Sequence, residues 1–466
     1  MRPVSLSGRS RTSPSGAGLF DVDVNKSYAP AHCDRVHSTK RTAMSDTEYI
    51  QVTHRELPFS TFDADNHLYE NRDALTQFLP REYQGVIKYV DVGGRTKLAI
   101  RDRISDYIPN PTFNKVAAPG AAGMDVTKGG SGFGTFAQAG TGGLHQRKLV
   151  VMPGIDAFFD PEPRLELMKE MGIDRTVLWP TLASALEERL ADDPDVAVVV
   201  IHALNEWMHE HWSYVYSDAL YSTPIISLAA GADRALEELE YIHERGAKVF
   251  LIRVAPVPTW KGRKSFALPE FDPFWERVQE LDIVVGMHAG DPGYHRYLNE
   301  WEGLGDQEMS IAKNARHANP AFVVLSADKD NLVDAMASII GHGLATRFPR
   351  LKFMPVEFSS SWVRPFYTKL QRVYERSPVL FDEDPVEIFN RNVWVHAFHE
   401  PNPKGIIDLG IPVDHLMFGS DFPHPEGMAD PLAYSEVVQD LPVEQQELIM
   451  GGSIEKAFKV GKYAAA

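Results

Sequence analysis

From residue 62 onward, short and nearly continuous apolar runs alternate with longer stretches whose apolar positions recur at helical spacing. The runs are "FDADNHL" (62–68), "RTVLWPT" (175–181), "PIISLAA" (224–230), "AKVFLIRV" (247–254), "DIVVGMHAG" (282–290), "RLKFMPVEF" (350–358), "NVWVHAF" (392–398) and "HLMFGSDFP" (415–423), eight in all. Runs of this kind signal strands covered on both faces, as in parallel sheets. Between them, "PEPRLELMKEMGI" opens on proline and spaces Leu165, Met168 and Met171 for one helical face. "ADRALEELEYIHERG" turns Leu236, Leu239 and Ile242 inward and stops at Gly246. "DPFWERVQELD" and "PVEQQELIMGG" behave alike. Eight strands alternating with helices predict an α/β fold, a distorted (β/α)8 TIM barrel with a long insertion after strand 1. A doubly wound open sheet is the alternative, but no glycine-rich dinucleotide fingerprint follows the first strand.

The insertion covers residues 71–148. Within it, "GVIKYVDVGGRTKLAIRD" (85–102) reads as a hairpin about Gly93-Gly94. Residues 117–143 are small and glycine-rich, and read equally as a passive flexible loop or as a lid over an active site. Residues 1–45 are rich in Ser, Arg, Gly and Pro and lack the apolar block of a secretory signal. They read as a disordered tail, or as sequence upstream of a translation start at Met44. The folded domain is expected over 46–466.

Charge narrows the partners. The formal net charge is −17, which repels nucleic acid and anionic membrane. No run of about 18 apolar residues is present to span a bilayer. Cys33 is the single cysteine, so no intrachain disulfide forms, which fits a reducing, cytoplasmic setting. The expected partners are a small-molecule substrate and, because an exposed hairpin seldom stays unpaired, further copies of this chain in a homodimer or higher homo-oligomer.

The candidate chemistry lies at the ends of the runs. The first ends with Asp65 and His67, the fourth with Arg253, the fifth with His288, the sixth with Glu357, the seventh with His396 and the eighth with Asp421. In a barrel these ends converge on one mouth. Asp65 and His67 are two apart, so both side chains project to one side of an extended strand. With His288 and Asp421 they make two imidazoles and two carboxylates, a donor set for one divalent ion: Zn²⁺ or Mn²⁺, with Fe²⁺ third. The carboxylate in first place shifts preference from Zn²⁺ toward Mn²⁺. Asp63 is expected on the Asp65 face one step deeper, and Glu70 at the start of the lid loop, both in supporting roles. Arg253 is a candidate clamp for a substrate carboxylate or a structural ion pair. His424, in "DFPHPEG", is placed to orient Asp421. Trp362 walls a substrate pocket or belongs to the core.

Four motifs, "DADNHLYE", "DPFWERVQELDIVVGMHAG", "FPRLKFMPVEFSSSW" and "FGSDFPHPEG", resemble those of the amidohydrolase-related family (amidohydrolase family 2), in its branch of aminocarboxymuconate semialdehyde and resorcylate decarboxylases. The resemblance runs from about residue 60 to 460. It implies a distorted (β/α)8 barrel with one divalent metal at the mouth. The family's first metal motif is usually His-x-His, and here it is Asp65-Asn66-His67. Its strand-6 position is often a catalytic His, and here it is Glu357. The resemblance implies catalytic roles for Asp421 as proton shuttle and for Glu357 or His396 in positioning the substrate. The substrate is expected to be small, carboxylated and aromatic. It is attacked by metal-activated water or loses CO₂ in a metal-assisted decarboxylation. A barrel that only binds a ligand is the reading from another class. It would show as an apolar residue at 67, 288 or 421, and none is there.

Overall fold

The computed structural model describes residues 50, 55–92, 95–104, 113–121, 150–303, 322, 331–397 and 400–464, all within a unit running from Ser45 to Ala466. The expected tail over 1–45, the Gly93-Gly94 turn and most of the glycine-rich stretch lie outside the described residues.

Eight strands follow the apolar runs: β1 (Phe62–Leu68), β2 (Arg175–Pro180), β3 (Leu220–Ser222), β4 (Val249–Leu251), β5 (Val284–His288), β6 (Phe353–Val356), β7 (Val395–His396) and β8 (Leu416–Met417). Parallel ladders join β1 to β2, β2 to β3, β4 to β5, β5 to β6 and β7 to β8. Single parallel bridges connect Ile225 with Leu251, Phe353 with Val393, and Asn66 with Phe422. Beside the last of these, the Ala64 N–H donates to Phe418 O (2.9 Å) and the His67 N–H to Phe422 O (2.7 Å). The third strand is the one displaced from its apolar run. The ladder with β2 falls on residues 220–222, and the run at 224–230 reaches β4 through the Ile225 bridge, where Pro224 O accepts the Leu251 N–H (2.8 Å) and the Ile226 N–H donates to Leu251 O (3.0 Å).

Helices α1 (Pro161–Met171), α2 (Pro194–Trp212), α3 (Ala232–Glu244), α4 (Asp272–Leu281), α5 (Asn331–Gly341), α6 (Val363–Arg376) and α7 (Pro385–Asn392) lie between the strands. Three start alike: Asp160, Asp193 and Asp384 each accept a bond from a first-turn N–H and precede a proline at the first helical position. On α1 the buried stripe is Arg164, Met168 and Met171, and Leu165 is only half-buried. The insertion contains an antiparallel pair, Ile87–Val92 with Arg95–Ile100, in which Val92 faces Arg95. Among the described residues no helix is long and apolar enough to cross a membrane.

Two local departures from regularity shape the interior. Along β1 the pairing advances from Asp63 opposite Thr176 to Asn66 opposite Leu178, so Ala64 and Asp65 together face one residue of β2. This bulge resets the side-chain alternation. Asp63 therefore leaves the Asp65 face and meets Asn66, whose Nδ2 donates to Asp63 Oδ2 (3.1 Å). The second departure is Trp179, fully buried, with its indole N–H on Ala64 O (2.9 Å) and its ring 5.1 Å from that of His288. Gly286 makes room for it, since a Cβ there would stand 2.5 Å from the indole. Gly286→Ala is expected to destabilise the fold by about 1–3 kcal/mol through overpacking. A denaturation midpoint equal to that of the parent protein would refute this.

Candidate metal centre

The ends of β1 and β5 bring Asp65, His67 and His288 into one group of possible metal ligands, and His67 shares a second group with Asp421, which follows β8, and His424. His67 Nε2 lies 3.3 Å from Asp421 Oδ1 and 3.6 Å from Asp65 Oδ1, and His288 Nε2 lies 3.5 Å from Asp65 Oδ1. A tetrahedral zinc site with bonds of about 2.0–2.2 Å has donor atoms roughly 3.3–3.6 Å apart, so these spacings suit one small cation. Two backbone bonds fix the carboxylates to each other: the N–H groups of Ser420 (3.2 Å) and Asp421 (2.7 Å) both donate to Asp65 O. Gly419 permits this approach, because a Cβ there would meet His396 Nε2 at 2.4 Å and Asp65 Cβ at 2.6 Å.

Both oxygens of Asp65, both of Asp421, and Nε2 of His67 and of His288 are buried and have no hydrogen-bond partner among the described residues. Buried polar atoms are normally satisfied. Here six acceptors face one another, and the group they lack is a cation. His288 is already committed to the matching tautomer: its Nδ1–H donates to Ala289 O (2.7 Å), which leaves a lone pair on Nε2. Burial first, then the His424 and His288 rings and the Arg164 cation, hold the His67 imidazole well below its ordinary value, in the neutral form a ligand needs. Burial first, then Glu357 and Asp65, holds Asp421 well above the carboxylate range. Without a cation beside it, the Asp421 carboxyl is thus pushed toward its protonated form.

The remaining candidates divide. His424 stacks on His67 with ring centroids 3.8 Å apart. Its Nδ1 is 2.8 Å from Asp421 Oδ1, off hydrogen-bond geometry, and its Nε2 is 3.2 Å from Thr181 Oγ1. Burial, with His288, pushes its pKa down to about 3. Glu357 Oε2 is 3.5 Å from His288 Nε2, on a backbone with φ +66°, strain that tends to be kept where function requires it. Burial, with Asp65 and Glu426, holds its carboxyl well above the usual range. His396 accepts the Glu357 N–H on Nδ1 (3.0 Å), so it braces Glu357 rather than presenting that nitrogen to a ligand. Arg253 pairs with Glu188 and donates from Nε to Asp291 O (2.9 Å), while its buried Nη1 has no partner among the described residues. Trp362 packs between Phe366 and Phe389, with ring centroids 6.1 and 6.0 Å away, and lies in the core rather than at the metal ligands. Glu70 is buried and accepts the N–H groups of Thr181, Leu182 and Ala183, so it caps the turn after β2 instead of opening a lid.

Sequence reasoning missed Thr181, Glu426 and Arg164. Glu426 is buried and close to Glu357, Asp421 and His424. Burial above all pushes its carboxyl up to about 7. Arg164 carried a signal, since it stands four and seven residues ahead of Met168 and Met171 in the same helical series.

Comparison with known proteins bears on the family and the fold. The family model described as amidohydrolase matches residues 148–460. No curated protein matches the chain by sequence. An amidohydrolase from Mycobacterium avium subsp. paratuberculosis K-10 superposes with a TM-score of 0.74 at 29% identity, covering 86% of this chain and 100% of its own. A 5-carboxyvanillate decarboxylase from Novosphingobium aromaticivorans DSM 12444, complexed with manganese and 4-hydroxy-3-methoxy-5-nitrobenzoic acid, shares the fold. Its TM-score is 0.50 at 16% identity, over 88% of this chain and 98% of its own. Since the family model spans well over half of the sequence, the chain belongs to the amidohydrolase family, a family of enzymes.

Proposed function

We propose that the chain closes into a (β/α)8 barrel and is a divalent-metal-dependent enzyme acting on a small carboxylated substrate. The carrying observation is the set of six buried acceptor atoms on Asp65, His67, His288 and Asp421 that have no partner among the described residues. These four residues hold the ion. When bound, a divalent cation polarises a carbonyl or carboxyl oxygen and lowers the proton affinity of water. The chain's own groups do the rest. Asp421 takes up and returns a proton, and His424, stacked on His67 and bonded to Thr181, lies against it with Nδ1 2.8 Å from Oδ1. Arg253 offers Nη1 to the substrate's carboxylate, with its other nitrogens fixed by Glu188 and Asp291. His396 fixes the Glu357 backbone and so aims the Glu357 side chain.

Two reactions suit this arrangement. Hydrolysis needs one group that removes and returns a proton, and Asp421 suffices. Decarboxylation needs an acid that delivers a proton to carbon while the ligands stay in place. Glu357, a second carboxyl 3.5 Å from His288, favours that reading. A panel of substituted benzoates, cyclic amides and lactones in ¹⁸O-water separates the two. CO₂ release without incorporated ¹⁸O identifies the lyase, and ¹⁸O in the product identifies the hydrolase. Purified protein with no divalent metal by elemental analysis, and no uptake on titration, would defeat the proposal as a whole.

A further inference from the structure

Arg164 is completely buried, and its bonds go to uncharged acceptors. Nε donates to Ala157 O (2.6 Å), Nη2 to His67 O (2.7 Å), and Nη1 to Asn66 Oδ1. The guanidinium lies 5.8 and 5.7 Å from the ring centroids of Phe158 and Phe422. Burying a cation without a hydrogen-bonded carboxylate is costly, and a plain packing role would be met by Leu or Met. What the cation touches explains its presence. Asn66 and His67 are consecutive, with Asp65 just before them, so Arg164 grips the backbone and side chain between two of the expected ligands.

The grip continues across the interior. Asn66 Nδ2 donates to Asp63 Oδ2 (3.1 Å). Asp63 also accepts the Asp65 N–H (3.0 Å), the Ser420 N–H (2.9 Å) and the Ser420 hydroxyl (2.5 Å). Ser420 directly precedes Asp421. A chain of side chains, Arg164–Asn66–Asp63–Ser420, therefore runs from α1, under the β1 bulge, to the residue beside the ligand from β8. The bulge is what turns Asp63 and Asn66 toward each other and leaves Asp65 and His67 facing the other ligands.

We infer that Arg164 is a positioning residue for the metal: through Asn66, Asp63 and Ser420 it sets the separation between the β1 ligands and Asp421. The inference rests on the metal reading above. Partners that orient ligands typically change metal affinity by about 10–100-fold when removed. The test uses Mn²⁺ as the probe, with its dissociation constant measured by EPR of free Mn²⁺ on apoprotein. The circular dichroism and thermal midpoint of the same apoprotein are recorded alongside. Arg164→Met keeps much of the volume and loses every donor, while Arg164→Lys keeps the charge and restores one donor. The expected result is a Mn²⁺ dissociation constant raised at least about tenfold in Arg164→Met and partly recovered in Arg164→Lys, with native circular dichroism in both. Should Arg164→Met fail to fold, Ser420→Ala reads the same chain from its other end and is expected to weaken Mn²⁺ about tenfold. Affinity within twofold of the parent, in folded Arg164→Met or in Ser420→Ala, overturns the inference and leaves Arg164 as core packing. A parent protein that binds no Mn²⁺, Zn²⁺ or Fe²⁺ defeats the metal reading instead, so the two failures are distinct.

Discussion

Asp421→Asn is expected to lower kcat/KM by about 10²–10⁴-fold, the range for loss of a positioned acid–base group, on any substrate the parent turns over. The cause is local. Both Asp421 oxygens are buried and have no hydrogen-bond partner among the described residues, and Oδ1 lies 3.3 Å from His67 Nε2. Asparagine keeps the shape but replaces one acceptor with an NH₂ that points its protons at the site, so both proton transfer and cation binding suffer. The apoprotein should respond in the opposite sense. An amide in place of a carboxyl that faces Asp65 can donate to that carboxylate, and is expected to stabilise metal-free protein by about 0.5–1.5 kcal/mol, the worth of one hydrogen bond. Urea midpoints of the two apoproteins measure this, and kinetics of the reconstituted enzymes measure the other effect. A variant that retains full kcat/KM would remove Asp421 from the chemistry.

Stripping the metal is expected to abolish turnover entirely and to lower the thermal midpoint. A ligand at one hundred times its dissociation constant stabilises the native state by about 2.7 kcal/mol. Repulsion among the acceptors of the empty site enters this figure through the dissociation constant itself, by favouring the bound state. Dialysis against a chelator, followed by separate additions of Zn²⁺, Mn²⁺ and Fe²⁺, measures both effects and ranks the ions by restored activity. Highest activity with Mn²⁺ agrees with a carboxylate in the first ligand position. Undiminished turnover by protein shown to be metal-free would sink the metal-dependent mechanism.

The strands were legible because burial on both faces leaves continuous apolar runs, and β1 occupies its run residue for residue. The two-apart spacing of Asp65 and His67 was legible for the same reason. Three things were hidden. A bulge has no one-letter signature, so simple alternation put Asp63 on the wrong face. The run at residues 224–230 looks like a strand, yet the ladder with β2 lies on 220–222 and the run itself makes one bridge, to Leu251. Helix α2, 19 residues long, contains the β-branched series Val196, Val198, Val199, Val200 and Ile201, which taken alone favours a strand. Its Asp193-Pro194 start and its packing overrule that preference. Long-range partners were beyond reach altogether. Glu188 claims Arg253, the Phe366 and Phe389 rings claim Trp362, and Glu70 binds the turn after β2, each decided by contacts across the chain.

The indole of Trp179, set into the space Gly286 leaves open, fills the interior directly behind His288. With that wall in place the His288 ring cannot swing away from Asp65 without displacing the indole, so its aim is kept by shape as well as by the bond from Nδ1–H to Ala289 O.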